Sequence, residues 1–375
     1  MKRKFAVLFS ILVFASLILA ACGPAATVAP AAPAATEVPA ATEVPATAAP
    51  AATEAPAATA VPPSPTPPPA PVCTKMDGAP TVAAGQFGSA DNPIVITFVP
   101  SGDTGKITKA GTAIADCLSQ MTGLAMKIEV GTTYAASIEA MGAEKAQVGF
   151  LNTFSVLLAE EKYQIVPALA NVRKYATNSV DPDKDLAGQM EPFYKGQFIA
   201  GADSGIKTFA DLKGKKFCFV DPSSTSGSII PRIVLKANGI DPDKDITSQN
   251  AGSHNNVAIA VYKGDCDAGV TYIDVLTDSS ANLAKDYPDI STKVIPFADT
   301  VRIPNDGVQY IKTLDPKVQD AITNGLLAMA NDPGGKFVLK SLYNVNAFQK
   351  IDATFYQEFA DVLAKAGVKA SDLIQ

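Results

Sequence analysis

The chain has 375 residues, with 31 Lys and Arg against 37 Asp and Glu and a formal net charge of −6 when its single histidine is neutral. This mild acidity argues against general nucleic-acid binding, and it means that any bound anion must be held by local dipoles and hydroxyls, not by the field of the whole molecule. One histidine and a cysteine spacing that fits no zinc signature leave no basis for a metal site, and no cofactor is expected.

Lys2, Arg3 and Lys4 precede an apolar run at residues 5–21, the charge-then-hydrophobic order of a secretory signal peptide. Such a run barely reaches the ~17 to 25 residues that a membrane span requires, so an uncleaved anchor is the weaker alternative. Leu19-Ala20-Ala21-Cys22 resembles the bacterial lipoprotein signal, which implies cleavage after residue 21 and a lipid on Cys22. That places the protein on the outer face of the bacterial cytoplasmic membrane, or facing the periplasm where there are two membranes. Residues 23–72 are almost wholly Ala, Pro and Thr and hold 14 of the 28 prolines. They cannot bury enough apolar surface to offset ordering, and their prolines favour extended chain, so a tether up to roughly 150 Å long is expected. A glycosylated Thr-rich stalk is the alternative reading. With a margin at its end, the tether is assigned to residues 22–90. No later stretch is long and apolar enough for a membrane helix.

From there strand-like and helix-like segments alternate, the mark of an α/β protein with mainly parallel sheets. A strand at 94–100 is followed by a helix through about 121, a strand at 126–130, a helix from 134 to about 144, a strand at 148–151 and a helix at 155–161. A second unit begins near 197–202, with a small helix at 208–216, a strand at 217–220, a helix at 229–237, a helix at 253–262 and a strand at 268–272. The chain returns near 294–301, and helices at 316–331 and 354–366 complete it. Residues 91–196 with 300–375 are expected to form one lobe and 197–299 the other, joined by two crossings with a cleft between them. Four cysteines remain besides Cys22. Cys218 and Cys266 lie in short apolar strands of one region, which suggests that they pair and leave Cys73 with Cys117; buried free thiols are the alternative.

The most informative run is Asp221-Pro222-Ser223-Ser224-Thr225-Ser226-Gly227-Ser228, which joins a strand to a helix. Helix starts carry unpartnered N–H groups and the positive end of the dipole, so hydroxyls there can seat an oxyanion; the plainer reading is a serine cap. His254, in Gly252-Ser253-His254-Asn255-Asn256, opens another helix of the same unit. It could be a surface neighbour of a cap, or donate to the same anion.

Together with Gly264-Asp265-Cys266-Asp267-Ala268, these segments resemble the phosphonate and phosphite binding proteins of bacterial ABC importers, over roughly residues 93–340. The resemblance implies a two-lobed periplasmic binding protein of type II. It implies that Ser224, Thr225 and Ser226 surround the phosphonate oxygens, with amides near Gly227 and with His254 completing the ring. Tyr134 and Tyr194 match family tyrosines lining the cleft, and Asp306 matches a carboxylate that faces the amino end of an aminoalkylphosphonate. Asp274, a side chain shorter by about 1.5 Å, stands where amine-binding members tend to have glutamate. Apart from the resemblance, donors at one end and carboxylates with tyrosine faces at the other suit a zwitterion. A partly buried core role is the alternative for the tyrosines, and a solvated surface role for Asp274 and Asp306.

The expected function is therefore capture of a phosphonate, with 2-aminoethylphosphonate among the candidates, or of phosphite or phosphate, by a monomer that delivers it to a membrane permease. No catalysis is expected. A sensor subunit with the same ligand is one alternative. A hydrolase using Ser224 or Ser226 with His254 as base is another, disfavoured because no Gly-x-Ser-x-Gly elbow is present.

Overall fold

The computed structural model describes residues 67–368. The signal segment, Cys22 and the tether through residue 66 lie outside the described residues, as do residues 369–375. Among the described residues no helix is long and apolar enough to cross a membrane.

Two mixed sheets organise the fold. The first is built on Ile94–Phe98, whose five residues are all buried, so the run needs apolar cover on both faces. It pairs in parallel with Met126–Val130 and Val148–Leu151. Gly307–Tyr310 then inserts antiparallel between Val148–Leu151 and Val166–Lys174, and Ala347–Lys350 closes the edge. The second sheet runs Val294–Asp299, Gly196–Gly201, Ala268–Tyr272, Lys216–Phe219, Thr247–Asn250, with the last three strands mutually parallel and the first two antiparallel to their neighbours. The expectation of mainly parallel sheets is corrected accordingly. The chain leaves the first sheet, traverses the second and re-enters the first, so the strands flanking each crossing run against their neighbours.

The two crossings lie side by side as a short antiparallel ladder of Phe193–Tyr194 with Ile303–Pro304. Beside it the buried Lys195 ammonium is held by Asp181 at 2.8 Å and Asp183 at 2.7 Å, which fixes the crossing without leaving a bare charge. Phe98 and Phe150 stack in the first core with ring centres 4.8 Å apart, and Phe198, Phe217 and Phe219 form the centre of the second.

Helix Thr104–Thr122 shows why the elements lie where they do. The Asp103 carboxylate accepts from the Lys106 N–H at its start, and Gly123 ends it at φ 75°. Cys73–Cys117 and Cys218–Cys266 are disulfide-bonded, although Cys266 precedes its strand instead of lying in it. By chain-entropy arithmetic, closing loops of this size stabilises by about 4 kcal/mol each. The first bond also corrects the tether's end. Cys73 is fixed to the helix, the Met76 N–H donates to the Met121 carbonyl at 2.8 Å, and Val82 and Phe87 pack against the core, so residues 73–90 belong to the folded body.

Candidate functional site

Strand Lys216–Phe219 runs into the Ser-rich turn. Asp221 Oδ1 accepts from the Ser223 N–H at 2.8 Å, and the chain then opens a π-helical turn, Thr225–Ile229, before the α-helix Ile230–Ala237. Ser224 caps this turn by accepting from the Gly227 N–H at 3.3 Å. The cap and the oxyanion seat are thus not rival readings, because the capping serine also lines the cleft. Gly227 is required by close approach: a Cβ there would run into the Val220 side chain. Its amide serves the cap, and Gly227 is absent from the cavity wall, so its expected contact with the anion is corrected.

Each hydroxyl of the seat already accepts at least one hydrogen bond. Thr225 Oγ1 accepts from the Phe154 N–H at 2.9 Å and from Asn152 Nδ2 at 2.8 Å, both across the cleft. Ser226 Oγ accepts from the Tyr194 hydroxyl at 3.3 Å. A hydroxyl has one proton to give, and at Thr225, with both lone pairs taken, that proton is all it can still offer.

His254 is buried and lies 3.5 Å, Nε2 to Oγ, from Ser224. Its Nδ1 accepts from the Tyr272 N–H at 3.2 Å, so in the neutral ring Nε2 carries the proton and faces the seat as a donor. Burial, helped by the nearby Arg173 charge, pushes its pKa down to about 3. A ring in this tautomer presents a donor to Ser224 and not a base.

These groups line one cavity of about 60 Å³ between the lobes, together with Tyr134, Tyr194 and Asp306. The Tyr134 hydroxyl, the Asn152 and Asn171 carbonyl oxygens and Asp306 Oδ1 are buried without a hydrogen-bond partner among the described residues. Burial raises Tyr134 well above the usual phenol range despite Ser224, and raises Asp306 to about 7 against the pull of Arg173. The lobes are drawn together around the cavity: Lys106 Nζ reaches the Ser280 and Ala281 carbonyls at 3.1 and 2.9 Å, and the His254 N–H donates to the Ser101 carbonyl at 3.1 Å.

Asp274 requires a second correction. It is not part of the wall; it is held by Arg173 at 3.4 Å, and Asp278, four residues on, lines the cavity instead. Sequence reasoning also missed Asn152, Asn171, Arg173, Tyr272 and Tyr343, which line the cavity as well. The alternation of Val166, Ala168, Ala170 and Val172 is the signal that could have placed Asn171 and Arg173 on a strand, and Pro167 obscured it.

With this geometry in view, comparison with known proteins is informative. The phosphate-import protein PhnD of Mycolicibacterium smegmatis is 28% identical over 195 residues, covering 50% of this chain and 57% of that protein. The chain spans somewhat over half the length of the curated relatives it matches. A binding protein component of an ABC phosphonate transporter from Pseudomonas aeruginosa superposes with a TM-score of 0.63 at 19% identity, covering 73% of this chain and 86% of that one. PhnD1 of Prochlorococcus marinus, solved in complex with methylphosphonate, gives 0.60 at 17% identity, covering 73% and 98%. Both structures share the two-lobed fold. Residues 96–356 match the model of the phosphonate-specific periplasmic substrate-binding proteins of ABC transporters, and the chain belongs to that family.

Proposed function

We propose that this protein captures a small phosphorus oxyanion, a phosphonate, phosphite or phosphate, between its lobes and presents it to an ABC permease. Ser224, Thr225, Ser226 and His254 form the oxyanion seat, Tyr134 and Tyr194 close over it, and Asp306 faces the opposite end of the ligand. The observation that carries this reading is the donor-only character of the seat: Thr225 with both lone pairs occupied, beside an imidazole whose tautomer points N–H at the same space. Neutral donors at a helix start bind an oxyanion without the field of a basic surface, as a chain with net charge −6 requires. Family membership favours an importer component over a sensor subunit. Ligand contacts with both lobes would couple capture to closure. The protein acts as a monomer, held at the membrane by a lipid on Cys22.

Calorimetric titration with phosphate, phosphite and methylphosphonate tests the proposal. Saturable binding of at least one is expected, weakened by Thr225→Ala; no heat with any of them would refute it.

A further inference from the structure

The wall facing the seat contains several carboxylates but little open negative charge. Asp278 is fully engaged: Oδ2 accepts from the Tyr272 hydroxyl at 2.9 Å and the Ser280 hydroxyl at 2.7 Å, and Oδ1 accepts from the Ser280 N–H at 2.8 Å. Asp274 Oδ1 is held by Arg173 Nη2 at 3.4 Å. The Arg173 side chain is 15% exposed, comes within 3.9 Å of Asp278 and lies over the Tyr272 ring at 5.6 Å. Its Nε and Nη1 make no hydrogen bond among the described residues. Asp306 Oδ1 is the buried carboxylate oxygen of the cavity wall left without a hydrogen-bond partner among the described residues.

The wall therefore shows an incoming ligand one guanidinium with donors to spare, one open carboxylate oxygen at Asp306 and the neutral amide oxygens of Asn152 and Asn171. An ammonium group would enter a buried site against a fixed like charge, while its natural partners Asp274 and Asp278 are already occupied. The single Asp306 oxygen suits a neutral donor, such as the P–OH of a singly protonated oxyanion. The cavity of about 60 Å³ suits a small ligand.

We infer that Arg173 sets this cleft for compact phosphorus oxyanions without a cationic tail, so that phosphate, phosphite and methylphosphonate are bound in preference to 2-aminoethylphosphonate. This rests on the capture reading above and narrows it.

The test is calorimetry of the protein with all four compounds, then with Arg173→Met and Asp274→Asn. At least one compact anion should bind about tenfold or more tighter than 2-aminoethylphosphonate. Arg173→Met, which uncovers the carboxylates, should shrink that ratio by about tenfold, and Asp274→Asn, which uncovers the guanidinium, should widen it. If Arg173→Met does not fold, the wild-type ratio and Asp274→Asn still decide. Tightest binding of 2-aminoethylphosphonate, or a ratio that neither variant moves, removes the role of Arg173 and leaves capture standing. Failure of every compound to bind overturns the capture reading and this inference together.

Discussion

The two walls of the cleft hold charge in opposite ways. The helix-tip wall, Ser224 to Ser226 with His254, carries no formal charge and is built from hydroxyls and an imidazole kept neutral by burial. The facing wall, Arg173 with Asp278 and Asp306, is ionic; Arg173 is also paired with Asp274 outside the cavity lining, and Asp278 is engaged by hydrogen bonds. Neutral donors set by backbone geometry stay aimed at one point whatever the ligand, which suits recognition of the group common to a ligand class. Paired charges can discriminate among the groups attached to it, because a ligand must compete with partners already in place.

Thr225→Val breaks the neutral wall most severely. It keeps the shape but leaves the Phe154 N–H without its acceptor and takes from Asn152 Nδ2 one of its two, each loss worth about 1–3 kcal/mol, so methylphosphonate affinity should fall about a hundredfold or more by calorimetry. An unchanged affinity would place the oxyanion elsewhere. His254→Ala removes one donor to a charged ligand, about 1.5–3 kcal/mol, and roughly tenfold to a hundredfold weaker binding is expected for every phosphorus ligand alike. A loss confined to one ligand would move His254 to the discriminating wall. Gly227→Ala forces a methyl into Val220 beneath the seat, so a urea melt should show destabilisation of about 1–3 kcal/mol. A melt identical to wild type would mean the turn is looser than described. The mildest test needs no mutation. His254 is the only histidine, and with its pKa pushed to about 3 its imidazole NMR signal should not titrate between about pH 5 and 8. Because the unfolded chain takes up a proton near pH 6.5 that the folded ring refuses, this residue's contribution to stability is full above that pH. It declines as pH falls toward 3. A midpoint near 6.5 would mean the ring is solvated.

The walls also differ in how far the sequence reveals them. The seat is legible because one contiguous strand–turn–helix segment, residues 216–237, encodes its local geometry, and His254 opens the next helix. The ionic wall gathers Arg173, Asp278 and Asp306, with Asp274 paired to Arg173, from separate segments of both lobes, and nothing local predicts that they meet. That is why Asp274 was expected at the ligand and Arg173 passed unnoticed. The fold follows the same rule. Strands Met126–Val130, Val148–Leu151 and Ala268–Tyr272 follow from their own apolar patterns. Gly307–Tyr310 and Ala347–Lys350, short and flanked by loops, become strands only because the chain returns to the first sheet.

The most direct test of the seat is a crystal structure of the protein with methylphosphonate bound. Phosphonate oxygens within hydrogen-bond reach of both Thr225 Oγ1 and His254 Nε2 are predicted. A ligand bound without touching either would contradict the account.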